Sequence, residues 1–110
     1  MKEYSGQHKE TVRASNKGLV LLNFFVNWST PCDTQAIILD ELSEVSNGSV
    51  NILKVNIDDP GNESEEYNIK AVPTLCLLKD GIEVNRFIGV QKLDTLLEAI
   101  KIYYNETATE

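Results

Sequence analysis

The sequence predicts an α/β fold in which a mixed, mostly parallel central sheet carries helices on both faces. Apolar runs that suit strands alternate along the chain with segments of helical spacing, a pattern typical of strand–helix–strand crossovers and parallel pairing. Farther along, residues 79–81 (Lys-Asp-Gly) separate two strand-like runs, and Asp-Gly in that place indicates a hairpin with an antiparallel pair. The 110 residues predict one domain spanning residues 1–110.

The first half of the chain predicts the central strand and the helix that follows it. Residues 18–26 form a nearly unbroken apolar run, which indicates a strand buried on both faces. Pro31 suits the first turn of a helix that should run to about Ser46. The buried face of this helix is predicted at Ile38, Leu42 and Val45. Before the strand, residues 9–15 predict a short helix with a stub of strand ahead of it.

The second half predicts three strands and two helices. Strands are expected over residues 50–57, 74–78 and 82–88, and a short helix is expected over residues 63–67. Residues 92–104 predict a closing helix with a single apolar stripe. The stripe consists of Leu93, Leu96, Leu97, Ile100 and Tyr104.

The composition argues against several classes of partner. Hydrophobic residues form 42% of the chain and charged residues 25%, as in soluble globular proteins. The net charge is −7 and the sequence pI is about 4.6, so the surface should repel nucleic acid and anionic membranes. No apolar segment is long enough to cross a bilayer, and residues 1–17 lack the apolar core of a signal peptide. We therefore expect a cytoplasmic monomer.

Few residues in the chain could form disulfides or bind metal. Cys32 and Cys76 are the two cysteines, too few for a disulfide framework, and we expect both to be free thiols. Cys76 lies in an apolar run and is predicted to be a small core residue. His8 stands alone in a polar segment, and the acidic run 58–66 lacks the spacing of a calcium loop. The sequence thus predicts no metal and no cofactor.

Several motifs carry a resemblance to a known family. Residues 21–32, LLNFFVNWSTPC, are similar to the thioredoxin strand that runs into Trp-Cys-Gly-Pro-Cys, and residues 71–75, AVPTL, resemble the cis-proline loop of that family. Further matches at thioredoxin spacings are residues 55–58, residues 79–81 and Gly89. The resemblance covers about residues 19–102 and identifies the chain as a member of the thioredoxin family, with the thioredoxin fold.

The resemblance implies thiol–disulfide exchange, the protein-disulfide reduction that serves cell redox homeostasis. This chemistry needs an attacking thiolate, a mixed disulfide and a second thiol that resolves it. The resemblance assigns the active-site motif and substrate-binding surface to Trp28, Thr30, Pro31, Val72, Pro73 and Thr74. It also implies that the Val72–Pro73 bond is cis and contacts Cys32, and that the partners are protein disulfides and a thioredoxin reductase.

The motif departs from the family pattern at the position of the attacking cysteine. Ser29 stands there, and Cys32 occupies the position of the resolving cysteine. A serine hydroxyl is hardly ionised at neutral pH and cannot form a disulfide. Asn23 replaces the buried aspartate that takes the proton of the resolving thiol, whereas Lys54 matches the lysine beside it. Asp33 follows Cys32 where a basic residue is common.

Three interpretations of this motif stay open. In the first, the natural protein is a dithiol oxidoreductase and Ser29 is an engineered Cys→Ser change. In the second, the chain is a natural one-cysteine relative that works with an external thiol or retains weak exchange. In the third, it is a redox-inactive module that binds a partner at the cis-proline surface. Because Cys32 lies inside the first turn of a helix, we expect its thiol to be shielded from solvent and slow to react.

Overall fold

The computed structural model describes residues 2–3 and 18–108. Its elements are β1 (Lys2–Glu3), β2 (Leu19–Phe25), α1 (Thr30–Val45), β3 (Asn51–Asn56), β4 (Thr74–Lys79), β5 (Ile82–Ile88) and α2 (Leu93–Ala108). The predicted bounds of β2 to β5 and of α1 are confirmed to within one residue, and the stub of strand is present as β1. The helix predicted over residues 9–15 lies outside the described residues. Among the described residues, no helix is both long enough and apolar enough to span a membrane.

The five strands form one sheet in the order β1-β3-β2-β4-β5. β3 pairs in parallel with β1 and β2, whereas β4 pairs antiparallel with β2 and β5. The α/β class and the mixed, mostly parallel sheet are confirmed, because β1, β2, β3 and β5 run in one direction and β4 alone among these five strands is reversed. The crossover from β3 to β4, which was expected to be parallel, is the one that differs. β3 ends at Asn56 beside Phe25, and β4 begins at Thr74 beside Phe24. The segment between them starts and finishes at the same end of the sheet, so β4 runs opposite to β2.

The short helix predicted over residues 63–67 is a series of turns. The Asn62 side-chain amide donates to the carbonyls of Ile57 and Asp59, at 2.9 and 2.6 Å, and its oxygen accepts a backbone N–H two residues on. Asn68 ends the segment in the left-handed region, at a φ of 56°. The Asn62 side chain takes backbone groups at the start of the segment, and Asn68 leaves the helical conformation at its end. The residues between them hold a single turn, which is too short to propagate a helix.

The two faces of the sheet bury separate hydrophobic clusters, because successive side chains of a strand point to opposite faces. One cluster joins both described helices to the sheet and contains Leu19, Leu21, Leu39, Leu42, Val50, Ile52, Leu75, Leu77, Leu96, Ala99 and Ile100. The other contains Phe24 and Cys76 and packs against Tyr67 and Ile69 of the turn segment. The expected helices on both faces are therefore not found within residues 2–3 and 18–108, where α1 and α2 share one face.

The predicted helix faces are largely confirmed. In α1, Leu42 is fully buried and Ile38 packs against the core, but Val45 in the last turn is 52% exposed. The buried line of α1 runs through Cys32, Gln35, Leu39 and Leu42, and Val45 lies off that line. In α2 the predicted stripe packs on the core as expected, and the helix continues past its predicted end.

Gly18 closes the end of the sheet that lies opposite the start of α1. Its φ is +81°, and its carbonyl accepts a hydrogen bond from the Asp80 N–H in the β4–β5 turn at 2.8 Å. A Cβ at this position would lie 2.7 Å from the Asp80 nitrogen. Both the backbone conformation and the close approach therefore require glycine.

Candidate functional site

The motif predicted from the sequence lies where β2 ends and α1 begins. Ser29 is the N-cap of α1, with extended backbone at φ −120° and ψ 121°, and its Oγ accepts a hydrogen bond from the Cys32 N–H at 3.3 Å. Thr30 and Pro31 form the exposed first turn, where the missing N–H of proline costs no hydrogen bond. The Ser29 hydroxyl thus has a structural use as a helix cap.

Cys32 faces inward from this first turn. It is a free thiol and only 3% exposed, so the expected shielding is confirmed. It borders a cavity of about 190 Å³ at the end of the sheet. The other residues that line the cavity are Asn23, Phe25, Val26, Asn27, Asp33, Ala36 and Lys54.

Asn23 and Lys54, which stand at the proton-relay position of the family, line this cavity together with Cys32. Asn23 in β2 is 2% exposed and lies directly beside Lys54 in β3. The Lys54 ammonium is 5.7 Å from the centre of the Phe25 ring, a distance at which a cation is attracted to an aromatic face. An amide at position 23 can hold hydrogen bonds but cannot accept a proton at neutral pH.

The loop before β4 contains a cis peptide bond between Val72 and Pro73, as predicted. The Thr74 hydroxyl closes this loop by donating to the carbonyl three residues earlier at 2.7 Å. The Pro73 carbonyl accepts the Gly89 N–H at 2.9 Å, which ties the loop to the residues that follow β5. The loop lies at the same end of the sheet as the motif, and its contact with Cys32 stays a prediction.

Apolar side chains are exposed around this end of the molecule. Trp28 is 77% exposed, Ile88 66% and Val90 41%, and Val72 is half-buried. The Trp28 indole N–H donates to the Asp58 carboxylate at 2.9 Å, which anchors the ring to the turn after β3. Exposed apolar surface next to polar rims is typical of binding sites for other molecules.

Sequence reasoning missed a pair of glutamines that joins α1 to the loop after β5. Gln35 is fully buried one turn after Cys32, and its side-chain oxygen accepts the Gln91 N–H at 2.7 Å. Its side-chain nitrogen donates to the Gln91 carbonyl at 3.2 Å. The one available indication in the sequence was a polar residue on the inward line of an otherwise apolar helix face.

The second thiol, Cys76, is fully buried at the centre of β4. Burial, together with a smaller effect of the Glu83 carboxylate, raises the pKa of Cys76 to about 12 against the lowering effect of Arg86. Arg86 lies opposite Cys76 in β5 and donates to both Glu83 oxygens, at 2.6 and 2.9 Å, and to the Tyr67 carbonyl at 2.6 Å. The prediction that Cys76 is a core residue is confirmed, and its thiol stays protonated at neutral pH.

His8 lies outside the part of the chain that the structure describes. Within that part, no three His, Cys, Asp or Glu side chains are grouped so that they could hold a metal ion.

Comparison with known proteins agrees with the geometry. The thioredoxin family profile matches residues 2–102. The chain is 46% identical over 84 residues to the thioredoxin of Chlamydia caviae, covering 76% of this chain and 80% of that protein. The X-ray structure of Fasciola hepatica thioredoxin matches at 31% identity and a TM-score of 0.77, over 92% of this chain and 97% of that one. A mutant thioredoxin from Halobacterium salinarum matches at 28% identity and a TM-score of 0.79, over 94% and 89%. The chain therefore belongs to the thioredoxin family of thiol–disulfide oxidoreductases.

Proposed function

We infer that this chain exchanges disulfides with protein substrates through a single thiol, Cys32, and that an external low-molecular-weight thiol completes the cycle. The observation that carries the proposal is the position of Cys32 in the first turn of α1, where it borders the 190 Å³ cavity. Cys76 is fully buried and protonated at neutral pH, which leaves Cys32 as the sulfur that can react.

The exchange balances with one protein thiol and two external thiols. The Cys32 thiolate attacks one sulfur of the substrate disulfide, and the other substrate sulfur leaves as a thiolate. An external thiolate then attacks the Cys32 sulfur of the mixed disulfide, which releases the second substrate thiolate and leaves Cys32 joined to the external group. A second external thiolate frees Cys32 and forms the small-molecule disulfide, so the substrate gains two electrons and two protons.

The surface around Pro73 would bind the substrate segment next to Cys32. Trp28, Ile88 and Val90 offer exposed apolar area there, and an extended peptide could pair with backbone groups of the cis-proline loop. Thioredoxins in general act on protein disulfides and receive electrons from reductases. A reductase delivers electrons to a dithiol pair, so we propose that the external thiol, and not a reductase, serves this chain.

The burial of Cys32 is the observation that favours a redox-inactive binding module as a second candidate. A sulfur that is 3% exposed must become more accessible before it can attack a protein disulfide. The membership of the thioredoxin family favours exchange.

Capture of the mixed disulfide tests the proposal. The folded chain is incubated with a peptide disulfide, and the adduct is located by mass spectrometry. We expect one adduct on Cys32, its loss in Cys32→Ala and its retention in Cys76→Ala. With glutathione as the external thiol, insulin should be reduced slowly, whereas thioredoxin reductase with NADPH should support no turnover.

Two results would contradict the proposal in different ways. Insulin reduction with the reductase at the rate of an ordinary thioredoxin would refute the single-thiol cycle. The absence of any Cys32 adduct in the folded chain would favour the binding module. The proposal also implies a reducing compartment such as the cytoplasm and a monomer in solution, which fractionation and size-exclusion chromatography can check.

A further inference from the structure

Gln35 is a polar side chain at a position where α1 otherwise buries apolar ones. It is fully buried, and the residues that continue its line along the helix are Leu39 and Leu42. Burying an amide is costly unless its donor and acceptor both find partners. A leucine or methionine would fill the same position without that cost, so the amide has a specific use.

Both polar atoms of the Gln35 amide bond to the backbone of one residue. The oxygen accepts the Gln91 N–H at 2.7 Å, and the nitrogen donates to the Gln91 carbonyl at 3.2 Å. These two bonds fix both the distance of the Gln91 backbone from α1 and the orientation of that backbone. The Gln91 side chain folds back on its own loop and donates to the Gly89 carbonyl at 3.1 Å.

The loop of residues 89–91 is therefore held at both ends. Gly89 is bound to the Pro73 carbonyl at 2.9 Å, and Gln91 is bound to Gln35. Between these anchors lies Val90, which is 41% exposed. Gln35 and Cys32 lie three residues apart on the buried face of α1, so the helix sets the distance from the thiol to the loop.

We propose that Gln35 is a positioning residue that holds the loop of residues 89–91 against α1. It thereby shapes the peptide groove, by which we mean the surface around Pro73 that Trp28, Ile88 and Val90 border and where the substrate segment would bind. This inference rests on the proposed function for the use of the groove. It is independent of whether Cys32 reacts, because a groove can bind a peptide that undergoes no exchange.

Peptide affinity measured without chemistry tests the proposal. The probe is an extended peptide with S-methylcysteine between apolar residues, and the signal is the fluorescence of Trp28, the single tryptophan of the chain. The variant Gln35→Met keeps the volume and removes both hydrogen bonds. We expect about tenfold weaker binding, the equivalent of one or two net hydrogen bonds. The reaction of Cys32 with the small disulfide 5,5′-dithiobis(2-nitrobenzoate), which needs no groove, should not be slowed.

Leu42→Val is the matched control for stability. It loosens the core in the last two turns of α1, far along the helix from the loop, and should leave the peptide affinity unchanged. A second measurement needs no variant: native-state hydrogen exchange of the Gln91 amide should be slow although this residue is only half-buried.

Each possible outcome supports or overturns the inference. Unchanged affinity in Gln35→Met, equal weakening in Leu42→Val, rapid exchange of the Gln91 amide, or no peptide binding by the unmodified chain would each overturn it. Weakened binding in Gln35→Met alone supports it. If the unmodified chain binds the peptide but forms no mixed disulfide, the proposed exchange fails while the role of Gln35 is still decided by the affinities.

Discussion

The substitution Ser29→Cys restores a second sulfur to the motif and tests how much of a redox site the scaffold retains. Ser29 is the half-buried N-cap of a 16-residue helix, and its Oγ lies 3.3 Å from the Cys32 nitrogen. The introduced sulfur would face the unpaired N–H groups of the first turn, which favour negative charge. Its pKa should therefore fall below the free value of about 8.5.

The structure sets the expected change in stability. Sulfur is a weak acceptor, so the reduced variant loses most of the cap, at a cost of about 1 kcal/mol. A disulfide between positions 29 and 32 closes a loop of four residues, and the loop-entropy relation gives a stabilisation of about 2 kcal/mol over the reduced form. The oxidised variant should thus melt about 8 °C above the reduced variant.

Thermal unfolding followed by circular dichroism, with and without reductant, measures this difference, and thiol counting after mild oxidation detects the disulfide. The oxidised variant should show no reactive thiol in its folded state. We also expect insulin reduction at a measurable but subnormal rate, because Asn23 cannot take the proton of Cys32. Adding Asn23→Asp should raise the rate.

Ser29→Ala is the control, since it removes the cap without adding sulfur and should melt at one temperature in both conditions. If Ser29→Cys forms no intramolecular disulfide, the geometry of the motif no longer permits exchange between these positions. This result would favour the binding-module interpretation, and the Cys32 adduct experiment would then decide between it and the single-thiol cycle.

Three further predictions concern stability and the anchoring of the motif. The folded-state pKa of Cys76 is raised from 9.0 to about 12. The contribution of the buried thiol to the free energy of unfolding should therefore be complete below pH 9 and should be lost between pH 9 and pH 12, at up to about 1.4 kcal/mol per pH unit. Denaturant titrations across this range should show a shallower decline in Cys76→Ala, and parallel curves would refute the burial argument. Gly18→Ala should lower the free energy of unfolding by about 2 kcal/mol, because it places a side chain at positive φ against Asp80. Gly61→Ala, at a positive φ with open space around it, should cost less. Chemical denaturation of both variants measures the difference, and equal costs would contradict the steric reasoning. Asp58→Ala should lower stability by about 0.5 kcal/mol and should increase the mobility of Trp28, measured by fluorescence anisotropy, because the indole loses its acceptor; unchanged anisotropy would show that packing alone holds the ring.

Local patterns in the sequence were sufficient to predict most elements of the fold. The nearly unbroken apolar run of β2 and the Asp-Gly turn between β4 and β5 depend on neighbouring residues only, and both are predicted to within one residue. The direction of β4 depends instead on where the long connection after β3 ends, which no local pattern encodes. The missing helix at residues 63–67 has a local cause, since the Asn62 side chain takes backbone groups that helix propensity alone treats as free.

The candidate site also combines features that local sequence predicts with features that depend on contacts between distant residues. The motif residues and the cis-proline loop follow from short sequence segments, and the structure places them at one end of the sheet. The anchors of the motif lie far away along the chain: Gln91 is 56 residues from Gln35, and Asp58 is 30 residues from Trp28. Such pairs form only after the strands are in register. The cap formed by Ser29 is likewise not evident from the motif, because the family pattern has a thiol at this position and the use of the hydroxyl as an acceptor depends on the backbone conformation before α1.

The burial of Cys76 limits how oxidation can join molecules covalently. With one sulfur enclosed in the sheet and the other at the motif, each folded chain has a single attachment point. Two chains can be linked to each other, or one chain to one other thiol, and growth ends there. Oxidative stress on the folded protein can therefore produce capped monomers and dimers but no disulfide-linked polymer.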